Sequence, residues 1–241
     1  YNPMDPVNNS DFIPPETVLT IENLEGSILD SNSVTITWEG NEMVAEYSYD
    51  LDSTGWSSWD NSTTVTLEYL NEGDRMFSVK GRYPSETEDE TPAQVMFTVD
   101  ALEGPGLRVY PLMSNIDTIE VSYIEIFVEE VNSLALAEFH VLYDQDLINI
   151  ASIENGALIS DYDSLGVSTS LLIAEENDGV ISINFTILGD SGLSGSGSIV
   201  RFKLIGNIPG SFTMQIINPV FRDVNDNAIP LLNPVNGQVI V

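Results

Sequence analysis

Short alternations of apolar and polar residues dominate the first hundred positions of the chain. Val34, Ile36 and Trp38 alternate with threonines, and the same period of two recurs further along. A period of two places successive side chains on opposite faces of an extended strand, so each segment predicts a half-buried β-strand. The predicted strands are 34–38, 47–51, 65–67, 77–79 and 95–99. Polar, glycine-containing turns separate them, and short strands at this spacing predict an all-β sandwich for residues 16–103.

A second series of strands follows a break at Glu103-Gly104-Pro105-Gly106. Because Gly-Pro-Gly sustains neither a helix nor a sheet ladder, it predicts a boundary, with a second domain over residues 104–241. The predicted strands of this domain are 107–109, 119–121, 123–128, 138–143, 147–153, 180–188, 199–204, 211–217 and 238–241. No stretch has a helical period, so the predicted fold class is all-β, with two β-sandwich domains. Residues 1–15 contain four prolines and no apolar period, which predicts a linker or tether.

The composition narrows the range of partners. The chain has 241 residues, 38 of them acidic and 7 basic, for a formal net charge of −31. A hydrophobic content of 42% is too high for a disordered acidic tail, and the acidic residues are spread over both predicted domains. Nucleic acid and anionic membranes are disfavoured because both attract lysine and arginine. The absence of cysteine excludes disulfides, zinc–thiolate sites and iron–sulfur clusters.

The first domain resembles a known family. Val34–Gly40, Tyr47–Asp52, Leu70–Gly73 and Phe97–Asp100 follow one another as in the fibronectin-III or immunoglobulin-like modules of bacterial surface proteins. The resemblance implies a spacer in which the first tryptophan, Trp38, is a core residue. Trp56 and Trp59 admit two interpretations, since tryptophan faces can stack on sugar rings or can pack across the sheet. Packing is the interpretation that the pattern favours.

The second domain is similar to cohesins. The segments that carry the resemblance are Ala137–Asp144, Leu147–Ile150, Gly179–Phe185, Phe221–Pro230 and Asn236–Val241. The resemblance implies a nine-stranded jelly-roll sandwich that binds dockerins, which are small calcium-loaded modules, and so assembles extracellular enzymes onto scaffolds or cell surfaces. It therefore also implies an extracellular or cell-surface location.

The alternation in two strands of this domain separates an inner from an outer face. In 138–143 the predicted inward residues are Phe139, Val141 and Tyr143. In 180–188 the predicted inward set is Ile181, Ile183, Phe185 and Ile187. The resemblance implies that the outer surface of these two strands engages a dockerin, with Glu138 as a typical contact. The predicted partner-binding residues are Leu136, Glu138, His140, Leu142, Ser182, Asn184 and Thr186. The alternative is that they are ordinary solvated residues of an outer face.

One turn offers oxygen ligands at alternate positions. Asp223, Asn225 and Asn227 have the spacing of the first ligands of a calcium loop, but no glycine follows and no distant bidentate glutamate completes it. The sequence therefore requires no cofactor and admits Ca²⁺ as a possible ligand of this turn.

The sequence contains few residues or motifs that could support catalysis. His140 is the one histidine, and neither a Gly-x-Ser-x-Gly motif nor a phosphate-binding loop accompanies it. The chain is therefore predicted not to be an enzyme.

Two alternatives to a protein-binding module stay open. The first is a carbohydrate-binding module, with polysaccharide as the partner, although all three tryptophans lie in the first domain. The second is a structural adhesin or surface-layer segment.

Overall fold

The computed structural model describes residues 11–164, 169–188 and 191–241, with the side chains of 164 and 169 left aside. The chain divides into two compact units, Tyr1–Ala101 and Leu102–Val241. Most described residues lie in β-strands, which confirms the predicted all-β class.

The first unit is a sandwich of two small sheets. Its strands are β1 (Thr17–Leu19), β2 (Ile28–Leu29), β3 (Val34–Gly40), β4 (Glu46–Leu51), β5 (Thr64–Leu67), β6 (Gly73–Arg82) and β7 (Ala93–Val99). One sheet has the order β1-β3-β5 and the other β2-β7-β6-β4. The five strands predicted from alternation are all present. Their inward residues, including Ile36, Phe77 and Val79, are buried together with Trp38 in one core.

Part of the predicted tether packs on this unit. The Phe12 ring lies 6.4 Å from the Tyr83 ring, and the Tyr83 hydroxyl donates a hydrogen bond to the Ile13 carbonyl at 2.9 Å. Nδ2 of Asn41 donates to the Pro14 carbonyl at 2.7 Å. Residues 11–15 are therefore held against the sandwich. The rest of the predicted tether, residues 1–10, lies outside the described residues.

The second unit contains ten strands and one short helix among its described residues. They are β8 (Gly106–Tyr110), β9 (Met113–Asn115), β10 (Ser122–Leu142), β11 (Ile148–Asn155), α1 (Ala157–Ser164), β12 (Thr169–Asn177), β13 (Val180–Leu188), β14 (Leu193–Gly206), β15 (Ser211–Asp223), β16 (Ala228–Ile229) and β17 (Gly237–Ile240). A single large cluster of buried apolar side chains fills the unit, with Phe139, Phe185 and Phe202 among the largest.

The long strand β10 joins both layers of this sandwich. Its first half pairs with β8 and β14, and its second half pairs with β13 and β15. Register shifts between Val128 and Leu134, together with positive φ at Glu130 and Ser133, bend the strand between these halves. Gly192 approaches this bend so closely that a Cβ there would lie 2.3 Å from a backbone atom of Ser133, so the position needs glycine.

Several sequence-based expectations for the second unit were wrong. The strands predicted at 123–128 and 138–143 are one continuous strand, because bulges at the intervening polar residues let the ladder continue through Val131 and Leu134. Residues 119–121 are not a strand, and Ile119 is 86% exposed. The helix α1 was not predicted, because eight residues are too few to establish a helical period. Strand β12 was also missed.

None of the described helices is long and apolar enough to cross a membrane.

Candidate functional site

The second half of β10 and residues 180–186 of β13 form an antiparallel pair that brings the seven predicted partner-binding residues together. The register places Leu136 opposite Thr186, Glu138 opposite Asn184, and His140 opposite Ser182. Leu142 follows in the same row of β10, opposite Val180. Residues directly opposite in an antiparallel pair share a face, so all seven lie on one surface. Glu138 and Asn184 are exposed, and the other five are half-buried.

The residues that alternate with these seven in β10 and β13 determine which face of the two strands points outward. Ala137, Phe139 and Val141 of β10 are buried, and so are the alternate residues Ile181, Ile183, Phe185 and Ile187 of β13. A slip of one residue would expose this entire set to water, so the register is strongly determined. The predicted inward sets are thus correct for both strands, with Tyr143 packed against the core although it is only partly buried.

Tyr143 lies beyond the end of β10 and is only half-buried. Its hydroxyl donates a hydrogen bond to Oε1 of Glu176 in β12 at 2.6 Å. Burial raises the pKa of the Tyr143 hydroxyl above the ordinary value for tyrosine, and the bond to the Glu176 carboxylate raises this pKa further. Tyr143 therefore ties the end of β10 to the neighbouring strand β12 through a polar contact.

Two flanking strands widen the surface with residues that were not predicted from the sequence. Strand β12 pairs with β13 and places Leu171 opposite Thr186 and Ile173 opposite Asn184. Strand β15 pairs with the other side of β10 and places Val220 opposite Glu138. Leu171, Ile173 and Val220 are 48%, 46% and 43% exposed, which are high values for side chains that are wholly apolar.

We call this surface of β12, β13, β10 and β15 the candidate face. Its members are Leu136, Glu138, His140, Leu142, Leu171, Ile173, Glu175, Ser182, Asn184, Thr186, Ile217 and Val220. A signal for β12 was present in the sequence as the run Leu171-Leu172-Ile173-Ala174. The run does not alternate because Leu172 and Ala174 pack on the core while Leu171 and Ile173 face outward, so both faces of β12 are apolar.

The polar groups on the candidate face are acidic or neutral, with one histidine. Glu138 lies at the centre, and Glu175 lies on β12 opposite Ser182. Nδ1 of His140 is 3.0 Å from Oγ of Ser182. At the margin, Arg222 of β15 lies opposite Leu136 and forms an ion pair with Asp226 at 3.1 Å. Within the described residues, Glu138 has no such cationic partner, so its charge is available to a partner molecule.

The turn predicted as a possible calcium loop is organised by hydrogen bonds to Asp223. Oδ1 of Asp223 accepts the backbone N–H groups of Asn225 and Asn227, each at 2.8 Å. Oδ2 accepts Nδ2 of Asn227 at 3.0 Å. A calcium ion would have to replace these donors. Across the part of the chain that the structure describes, no cluster of three or more His, Cys, Asp or Glu side chains could hold a metal ion. Calcium binding at Asp223, Asn225 and Asn227 stays an untested prediction.

The hydrogen bonds of this turn lead to a testable titration. They stabilise the charged carboxylate, chiefly through Asn227, and so hold the pKa of Asp223 below the ordinary value of an aspartate. We expect Asn227→Ala to raise this pKa towards the ordinary value, because one donor is lost while two backbone donors remain. Carboxyl-detected NMR titration of the two proteins measures the effect. An unchanged titration in the variant would contradict the assigned cause.

The tryptophans of the first unit lie in two environments. Trp38 is buried, with the rings of Tyr47, Tyr49 and Phe77 between 5.9 and 6.3 Å away. Trp56 and Trp59 lie against cations. Nζ of Lys80 is 4.6 Å from the Trp56 ring centre, and Cζ of Arg82 is 4.5 Å from that of Trp59. These contacts favour packing across the sheet for both rings, and sugar binding at Trp56 or Trp59 stays an untested alternative.

Comparisons with known proteins give matches only among solved structures. No protein-family model and no curated protein matches the chain. A non-cellulosomal cohesin from Archaeoglobus fulgidus matches with a TM-score of 0.46 and 14% identity, over 56% of this chain and 88% of that one. CaCohA2 of Clostridium acetobutylicum, in complex with a variant of CaDoc0917, matches with a TM-score of 0.48 and 20% identity, over 56% of this chain and 98% of that one. The Coh-OlpC–Doc435 complex, a type I cohesin–dockerin complex from Clostridium thermocellum, matches with a TM-score of 0.47 and 15% identity, over 56% of this chain and 91% of that one. All three are cohesin structures.

Proposed function

We propose that the second unit is a non-catalytic protein-binding module that recognises a dockerin-type, calcium-loaded partner through the candidate face. The observation that carries this proposal is that all seven predicted partner-binding residues lie on one outer surface of the sheet. The resemblance rests on sequence segments along much of the unit, and it does not specify the strand register that brings the seven residues together.

The chemistry of the candidate face supports a protein partner. Leu171, Ile173 and Val220 are three exposed apolar side chains from two strands that flank the central Glu138. Exposed apolar groups that share a surface are typical of protein-binding sites, whereas isolated ones are common on any protein. The apolar side chains would supply the buried centre of an interface. Glu138 and Glu175 would attract and orient a basic partner surface.

The first unit serves in this proposal as a spacer of fibronectin-III or immunoglobulin-like type. Its core, which is separate from that of the second unit, supports an independent module. The proposed setting is extracellular or on the cell surface, where a charge of −31 spread over both units keeps the chain well solvated.

Calorimetry tests the binding directly. The full chain is titrated with a panel of calcium-loaded dockerin modules encoded in the same genome, at neutral pH and low salt. We expect at least one to form a one-to-one complex that weakens as salt is raised, because charge attraction contributes to it. A folded sample that binds none of the panel would contradict the proposal, and retention on polysaccharide affinity gels would favour the carbohydrate-binding alternative.

A matched pair of variants locates the binding surface. Ile173→Arg places a cation at an exposed position of the candidate face, whereas Ile208→Arg makes the same change in the turn between β14 and β15, where the isoleucine is 54% exposed. We expect Ile173→Arg to raise the dockerin Kd about tenfold or more, because an arginine there replaces apolar contact and repels a basic partner. Ile208→Arg is the control and should bind as the unaltered chain does. Equal affinities for the two variants would move the binding site away from the candidate face.

A further inference from the structure

The histidine of this chain occupies a central position on the candidate face. His140 lies in β10 between Glu138 and Leu142, and its side chain is half-buried on the outer side of the sheet. Its ring reaches across to β13, where Nδ1 lies 3.0 Å from the Ser182 hydroxyl oxygen. Histidine is the side chain whose ordinary titration falls between pH 5 and 8, and His140 is the only one among 241 residues.

The strands around His140 present acidic or neutral groups to it. On β10 the neighbouring charged residue of the same face is Glu138. On β13 the facing residue is the neutral Ser182, and beyond it β12 contributes Glu175. On β15 the residue opposite is the apolar Ile217, and Arg222 lies two rows away, opposite Leu136 and paired with Asp226. Protonation would therefore introduce a positive charge beside Glu138 and across Ser182 from Glu175, the two glutamates that, under the proposed function, attract a basic partner.

We infer that His140 makes binding at the candidate face dependent on pH, with the partner held at neutral pH and released as the imidazole becomes protonated. The inference rests on the proposed function, because it concerns affinity for the same basic partner. The imidazolium opposes binding in two ways. It offsets the charge of Glu138 and Glu175, and it adds a cation that must lose water when the partner covers it.

The test compares the full chain with His140→Gln against the dockerin that binds at pH 7.5, with saturating calcium throughout. Glutamine is neutral at every pH used and can still form a hydrogen bond with Ser182. Calorimetry at pH 7.5, 6.5, 5.5 and 5.0 is expected to show Kd rising about tenfold for the unaltered chain over this range. For His140→Gln we expect a much smaller rise, which measures the effect of acid on the dockerin itself. Circular dichroism at each pH verifies that both proteins stay folded.

Three outcomes are distinguishable. A rise in Kd that His140→Gln removes supports the inference. An equal rise in both proteins, or none in either, overturns the inference and leaves the proposed function in place. Absence of binding by the unaltered chain at pH 7.5, the highest pH tested, overturns both.

Discussion

Replacing Glu129 with alanine is expected to lower the free energy of unfolding of the second unit by about 3–5 kcal/mol. Glu129 forms an ion pair with Nε of Arg108, and both residues are buried, at 8% and 4% exposure. The guanidinium also lies against two rings, with Cζ 5.0 Å from the centre of Tyr110 and 4.5 Å from that of Phe127. Its Nη1 has no hydrogen-bond partner among the described residues. Loss of the carboxylate would leave this buried cation without its counter-charge.

Urea unfolding followed by far-ultraviolet circular dichroism measures this loss. Tryptophan emission provides an internal control, because Trp38, Trp56 and Trp59 all belong to the first unit and should keep their unfolding midpoint. The double variant Arg108→Met, Glu129→Leu should regain most of the lost stability, since neither charge remains to be desolvated. If the single variant lost less than about 1 kcal/mol, the pair would not contribute as a buried ion pair does.

This ion pair illustrates what the sequence did not reveal. Arg108 and Glu129 are 21 residues apart, and they meet because β8 pairs with the first half of β10. Alternation reports which face of a strand is buried, but it carries no information on which strand lies beside it.

The candidate face likewise combines strands whose orientation follows from alternation with strands whose position does not. Its central strands β10 and β13 alternate regularly, so the orientation of Glu138, His140, Ser182 and Asn184 could be predicted from the sequence. The flanking strands could not be placed in this way. Strand β12 is apolar on both sides, and β15 changes register between the positions opposite Glu138 and His140. The apolar residues Leu171, Ile173 and Val220 were missed for these reasons, although they supply most of the exposed apolar surface of the face.

The candidate face depends on the core directly beneath it. Phe185 of β13 is fully buried opposite Ala137 of β10, and Ala137 lies opposite the buried Phe221 of β15 on its other side. A small residue between two large ones lets three strands pack closely, and so fixes the spacing of the outward residues between them. Replacing Phe185 with a smaller residue would leave a cavity on one side of Ala137.

Phe185→Ala is therefore expected to lower the free energy of unfolding of the second unit by about 3–5 kcal/mol, through lost burial and a cavity that three paired strands cannot close. Leu188→Ala, in the same strand but 56% exposed, is the matched control and should change stability by no more than about 0.5 kcal/mol. Circular dichroism and tryptophan emission separate the two units as before. Equal, small effects of both substitutions would contradict the packing of β13 on the core. If Phe185→Ala stays folded at low temperature, its dockerin affinity should fall with its stability, because the seven outward residues keep their register only while the inward ones hold the strands in place.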